Sequence, residues 1–402
     1  MNPSTPTHSK APKHVPPHLI REFDFRHGLG ERPHDVIARL HQGPPVFYSP
    51  VQQAGFPGHW IIVKAEHIRR ILQDPETFSS QNMSGRQSSI GARQIPVDTD
   101  PPEHGKYRAL MNPIFSPTRM KVMDEKIRQR AIDFIEPLAA HGACDFVVDY
   151  AQKFPAAIFV DLMGLPAEEV PQFLAWEHHL VGGEAEHRMS ATQQVVAYLK
   201  ALCAERRVRP ADDLVTFVVQ AELDGRKLND EEVNGITFLL FIAGLDTVAS
   251  SLGWQMRYLA EHPVDQQRLR DDPQLIPEAM DEMMRAFSTV SASRWCMRDT
   301  EIGGVLIRAG DLVTPSTICA NLDPDEFEDP QVVDFSRSPN RHTAFSYGPH
   351  RCLGSHLARR EMIITHQEWG RLVPPYRARA GMELTTHGGG VIGLNSLPLI
   401  WS

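Results

Sequence analysis

The stretch from Asn229 to Pro263 sets the scale of any fold this chain can adopt. Asn229 and Glu232 have the spacing of a capping box, in which each side chain satisfies the other residue's backbone amide and starts a helix. Pro263 would stop that helix. At 1.5 Å per residue the span is roughly 50 Å, the width of a whole domain. Its middle, Phe238 to Leu245, is apolar and ends at Asp246. That run is too short to cross a bilayer, so the helix must be buried in protein. A chain of 402 residues, 42% of them hydrophobic, has ample material to bury it.

The segments on either side agree with a mainly helical fold with a minor β part. Pro45–Tyr48 and His59–Val63 read as strands, and Ala65–Gln73 has helical spacing. Ser79–Asp98 is polar and reads as a long loop of the kind that often carries function. Met120–Ala140, Tyr150–Met163 and Ala191–Arg206 repeat apolar residues at three- and four-residue steps. After Arg285 come strand-like pieces with turns at Gly303-Gly304 and Ala309-Gly310, then a last helix over about Ser355–Leu372. No internal repeat or linker is visible. The expected organisation is a disordered tail over residues 1–17 and one domain over 18–402.

Composition excludes several classes. A net charge of -9 without a basic run argues against nucleic acid. Five scattered cysteines (Cys144, Cys203, Cys296, Cys319, Cys352) do not form a disulfide framework, and they suggest a reducing compartment with one thiol set apart. Met1 to Pro17 lacks the apolar core of a signal peptide. A cytoplasmic monomer that does not enter a membrane is expected.

The chemistry is densest in Phe345-Ser-Tyr-Gly-Pro-His-Arg-Cys-Leu-Gly354. Glycines near Cys352 let the backbone turn tightly and approach a planar ligand. A helix starting just after the cysteine would favour thiolate, the form that a haem iron needs for O–O cleavage. A lone cysteine is usually an inert buried residue, but the whole loop argues otherwise. Zinc at His350, Cys352 and His356 would want a second paired cluster, which the sequence lacks. Glu282 and Arg285 stand one helical turn apart, a spacing that most often makes a solvated surface ion pair. Ala243-Gly-Leu-Asp-Thr247 puts an acid and an alcohol in the middle of the long apolar helix. Such groups are costly to bury without a purpose. Thr247 could simply bond back to the Ala243 carbonyl and bend the helix, or the pair could relay protons into a kinked oxygen pocket.

Together these motifs resemble the cytochromes P-450. The Cys loop is similar to their haem-ligand loop, with Ser346 where glycine is commonest. Glu282-x-x-Arg285 is similar to the buried Glu-x-x-Arg that holds the core behind the haem, with Asn340 or Arg341 as its third member. Asp246-Thr247 matches the acid–alcohol pair of the oxygen-activating members. The resemblance covers Val15 to Trp401, and Gly244–Val248, Val333–Arg337 and His356–Glu361 look like the bacterial camphor-hydroxylase branch.

The resemblance implies the cytochrome P-450 fold and a haem b bound through Cys352, with Phe345 beside it and His104, Arg108, Arg294 and His350 at its propionates. It implies O2 activation with proton relay through Asp246 and Thr247. Two electrons would come from NADH through a ferredoxin reductase and a [2Fe-2S] ferredoxin. An apolar pocket of Ala92, Leu239, Ile242, Ala243, Val290 and Val391 is implied, suited to a terpenoid or norisoprenoid. Camphor hydroxylases carry a substrate-binding tyrosine at the position of Ala92, which puts camphor itself in doubt. Arg351, Arg359 and Arg360, with Lys106 and Arg108, would form a basic patch for the acidic ferredoxin. A peroxide-driven haem-thiolate enzyme and a haem-binding sensor are the rival classes; the Asp246-Thr247 pair argues against the first.

Overall fold

In this computed structural model, residues 8–52, 58–81, 83, 93–182 and 185–402 are described, with only the backbone of 181, 182 and 185. About 52% of the chain is helical, with small sheets, so the mainly-α expectation holds. The chain folds as two compact units, each assembled from separated segments: Met1–Gln87, Pro277–Cys352 and Glu383–Asn395 in one, Ser88–Ile276, Leu353–Met382 and Ser396–Ser402 in the other.

The first unit is built on a five-stranded sheet in the order Val46–Ser49, His59–Ile62, Leu312–Pro315, Arg294–Cys296, Phe78–Ser79. Val46 pairs with Ile62 antiparallel, Trp60 with Val313 parallel, and Arg294 with Val313 antiparallel. The first two strands are buried throughout, which is why they read as unbroken apolar runs. Helix Ala65–Gln73 follows as expected. The Gly303-Gly304 pair makes the two-residue turn of a hairpin, with both residues at positive φ, 57° and 76°. The start of the chain departs from the expected disordered tail. From His8 onward it is tied down: Ser9 N donates to Pro50 O at 2.9 Å, His14 meets Asp311 at 2.9 Å, and Val15 is buried. Val15 supplies the apolar anchor that a composition of Pro, Ser and His disguised.

The second unit is helical. The long helix runs Asp230–Glu261, with the full Asn229–Glu232 capping box and His262 at its end. By length and composition it could cross a membrane, but 67% of its most apolar window is buried inside the protein, so it is a core helix. Its packing is aromatic: Phe241 lies 6.1 Å from Phe159 and 5.2 Å from Phe173, ring centre to ring centre. At two points the neighbours come too close for a side chain. A Cβ on Gly235 would meet the Arg93 carbonyl at 2.7 Å, and one on Gly244 would meet the Phe159 ring at 2.9 Å.

The expected Met120–Ala140 helix is two, Pro117–Val122 and Asp124–Ala139. Tyr150–Met163 is a π-helical turn followed by helix Lys153–Leu162. Ala191–Arg206 is the core of a longer helix, Ala185–Val208. Helix Val170–Gly182 and the small hairpin of Glu222–Leu223 with Arg226–Lys227 were not legible from periodicity. The last helix, Ser355–Leu372, is ion-paired to Asp124–Ala139 through Arg360–Asp124 and Arg128–Glu368. Trp369 on it packs in an aromatic cluster with Phe146, Tyr150, Tyr376 and Trp401.

Candidate active site

In the first unit, the loop that ends at Cys352 is held by its backbone. Cys352 N donates to Phe345 O at 2.8 Å, Ser346 N to Thr343 O at 2.7 Å, and Arg351 N to Gly348 O at 3.1 Å. The glycine between the aromatic and the cysteine is obligatory. Gly348 sits at φ 69°, and a Cβ there would lie 2.3 Å from the Leu72 carbonyl oxygen. Ser346 also has a positive φ, 62°, which accounts for glycine being commonest at that place in the loop it resembles. Phe345 is buried, His350 half-buried, and Arg351 exposed.

The five cysteines separate by environment. Burial pushes the thiols of Cys144 and Cys319 up to about 12 and that of Cys296 to about 11, and it raises Cys203 as well. Cys352 alone is exposed. An exposed thiol on a rigid loop is the donor of the five best suited to ligating an iron, so the residues present fit a haem-thiolate ligand.

Also in the first unit, Glu282 and Arg285 are 1% and 0% exposed, so this is no surface pair. Arg285 Nε and Nη2 donate to the two Glu282 oxygens at 2.9 and 2.8 Å. Arg285 also donates to the carbonyls of Asn321, Pro330 and Val332. Glu282 further accepts from Arg337 Nε at 3.1 Å, Asn340 Nδ2 at 3.1 Å and Asp334 N at 3.0 Å. Of the two third members considered, Asn340 reaches the pair. Arg341 instead uses its carbonyl to accept from Arg69. Arg337 was missed; it lies inside Val333–Arg337, a motif noted for resemblance without a role.

Arg294 is 7% exposed on its strand and donates to the Ser293 carbonyl at 2.8 Å. Val290 and Val391 form an antiparallel bridge, flanked by Ser291 N to Gly390 O and Ile392 N to Thr289 O. The fold thus joins two pocket candidates that are about a hundred residues apart in sequence.

In the second unit, helix Glu103–Met111 carries His104, buried, and Arg108, half-buried, one turn apart on one face. Lys106 on that helix is ion-paired with Asp224, and Arg360 with Asp124; Arg359 is half-buried. Along the long helix, Leu239 is buried, Ile242 half-buried and Ala243 exposed. Leu240, Ile242, Ala243, Gly244 and Thr247 are the less buried residues over this stretch, and all but Ile242 recur at i, i+3, i+4, i+7, which is one helix face. Ala92 lies outside the described residues.

The helix continues unbroken through Gly244. Thr247 Oγ1 donates to Ala243 O at 3.2 Å, the back-bond that a mid-helix threonine usually makes. Asp246 is 8% exposed and accepts from Ser250 Oγ at 3.0 Å. Ser250 was another omission, although its place one turn beyond Asp246 was a readable signal.

A family model for cytochrome P-450 matches residues 167–366. A relative from Sinorhizobium fredii, described as "Probable cytochrome P-450 127A1", is 42% identical over 401 residues, 97% of this chain and 97% of that protein. A steroid C26-monooxygenase of Rhodococcus jostii is 30% identical over 396 residues, 91% of this chain and 83% of that one. Among solved structures, CYP101C1 matches with a TM-score of 0.89 at 33% identity over 98% of this chain and 100% of that chain, and CYP101J2 with 0.88 at 28% over 98% and 100%. Likeness this extensive, in sequence and in fold together, leaves one conclusion: the chain belongs to the cytochrome P-450 family of monooxygenases.

Proposed function

We propose that this monooxygenase hydroxylates a small hydrophobic molecule, a terpenoid or norisoprenoid, using Cys352 as its haem ligand. The observation that carries the ligand assignment is that Cys352 is exposed on a backbone-locked loop while burial holds the other four thiols protonated. Haem b would be held by Cys352 and Phe345, with Arg294, His350, His104 and Arg108 serving its propionates as charge-assisted donors. When bound, that group supplies the reductive splitting of O2 and the oxidation of an unactivated C–H bond.

The chain's own residues manage protons, water and orientation. Asp246 is a buried acid whose carboxylate can take up and hand on a proton. Thr247 can turn its hydroxyl from the Ala243 carbonyl to accept one hydrogen bond while giving another. Leu239, Ile242, Ala243, Val290 and Val391 offer only apolar surface, which orients a substrate by shape and excludes water. One similar protein is named a steroid C26-monooxygenase, and a steroid is likewise a largely apolar molecule.

Electrons come from NADH through a reductase and a [2Fe-2S] ferredoxin. Arg351 is the strongest docking candidate, because it is exposed whereas Arg359 and Arg360 are half-buried. A monomer in the cytoplasm, with residues 18–402 as one functional domain, completes the proposal.

The test is the carbonyl complex of the reduced enzyme. A strongly red-shifted Soret band is expected, lost in Cys352→Ala and retained when Cys144, Cys203, Cys296 or Cys319 is replaced. A red-shifted band that survives Cys352→Ala would overturn the ligand assignment.

A further inference from the structure

Three hydroxyls follow the midpoint of the long helix, and they are used in two ways. Thr247 Oγ1 donates to the carbonyl four residues back, Ala243 O, and Ser251 Oγ donates to Thr247 O at 2.8 Å. Both are the common back-bond of a helical alcohol. Ser250 does not make it. Its Oγ donates to a side chain, Asp246 Oδ1, at 3.0 Å. Ser250 is 4% exposed and Asp246 8%, so the bond forms where water competes little. Ser250 is four residues beyond Asp246 and three beyond Thr247, the two spacings at which helix side chains are neighbours.

We propose that Ser250 is a positioning residue for proton delivery, fixing the direction in which Asp246 presents its proton. The inference rests on the reading of Asp246 and Thr247 as the relay. The terminal torsion of an aspartate is broad and soft, so an unheld carboxyl head turns over. A hydroxyl donating to Oδ1 stops that rotation. The bond also survives a change of protonation. With the proton on Oδ2, Oδ1 is still an acceptor, and with the proton gone it is a better one. The direction of the carboxyl head is thereby kept in both protonation states, and Ser250 neither gains nor loses a proton over the cycle.

Ser250→Thr and Ser250→Val form a pair of near-equal volume, one with the hydroxyl and one without. Both are compared with Asp246→Asn and with Asp246→Asn/Ser250→Val, all as holoenzymes. The substrate is whichever of α-ionone, β-ionone and camphor most fully shifts the spin state of the unsubstituted protein. Spin-state titration, thermal unfolding, product per NADH and the solvent deuterium isotope effect are measured. Ser250→Val should leave the spin-state midpoint unchanged. Its product per NADH should fall by about tenfold, the weight of one hydrogen bond to a charged group, and its isotope effect should grow. Ser250→Thr should restore both, and Ser250→Val should add nothing further in the Asp246→Asn background. Equal coupling and isotope effects in Thr and Val, alongside an impaired Asp246→Asn, would overturn the positioning role and leave the relay standing. An unimpaired Asp246→Asn would overturn the relay and this inference with it. A loss confined to thermal stability would assign Ser250 to helix packing.

Discussion

Replacing Glu282 by Ala tests the physical account of the core most directly. Arg285 is fully buried and would keep the carbonyls of Asn321, Pro330 and Val332 and the face of the Phe327 ring, none of which carries a full charge. Removing one partner of a buried pair typically costs about 3–5 kcal/mol, because the remaining charge has no counter-ion and little water. The upper half of that range is expected, since Arg337 also loses an acceptor at 3.1 Å and Asn340 another at 3.1 Å. Arg337 is 11% exposed and can turn partly to solvent, so Arg337→Ala should cost less, about 1–2 kcal/mol. Non-additivity supplies the sharper check. Arg285→Met leaves the buried Glu282 anion with Arg337 as its remaining counter-ion, so adding Glu282→Leu to it should cost less than Glu282→Leu does alone. Urea unfolding followed by far-ultraviolet circular dichroism measures these four variants and the Glu282→Leu single variant that completes the cycle. A loss under about 1 kcal/mol for Glu282→Ala, or strict additivity in the double variant, would refute the reasoning.

Three further outcomes are expected. Thr247→Ala should bind substrate and consume NADH but divert oxygen to peroxide, and undiminished product per NADH would remove Thr247 from the relay. Burial pulls His366 down to about 4 from the usual 6.5, with its Nε2 against Gln255 Oε1 at 2.7 Å. The unfolded chain therefore takes up this proton below 6.5 while the folded chain does not until about 4, so the group's contribution is full above 6.5 and is lost across that window as pH falls. His366→Gln should flatten the unfolding free energy against pH there, and an unchanged slope would contradict the assignment. Arg351→Glu should leave the spectra and substrate binding intact yet slow ferredoxin-driven reduction. In the unsubstituted protein that rate should fall as the Debye length shrinks from about 10 Å at 0.1 M to about 3 Å at 1 M salt; stopped-flow rates indifferent to both changes would place docking elsewhere.

What could be read from the sequence followed the strength of local signals. The long helix carried its own cap and its own stop, and the Cys loop carried Gly348 at a place where the backbone admits no side chain. Helix Val170–Gly182 was missed because aromatic residues and histidines blur its periodicity, and its partners Phe159 and Phe241 come from elsewhere in the chain. Arg337 was missed for a similar reason. Its contact with Glu282 spans 55 residues and depends on how the segment after Pro330 folds back, which no local pattern encodes. The Val290–Val391 bridge is the same kind of case. The anchoring of the N-terminal residues turned on one buried valine, a signal that composition averages away.

The interleaving of the two units has a consequence for how the protein is made. The first unit begins with Met1–Gln87 but is not complete until Glu383–Asn395 has been synthesised. At about 5–20 residues per second, His59–Ile62 must wait on the order of 12–50 s for Leu312–Pro315, the strand that pairs with its open side. Strands Val46–Ser49 and His59–Ile62 are buried on both faces in the finished sheet, so during that interval they emerge from the ribosome apolar and with a free edge. Yield on overexpression should therefore be governed by translation speed and chaperone supply more than by the stability of the finished fold. For the same reason no contiguous fragment of the chain can stand in for either unit.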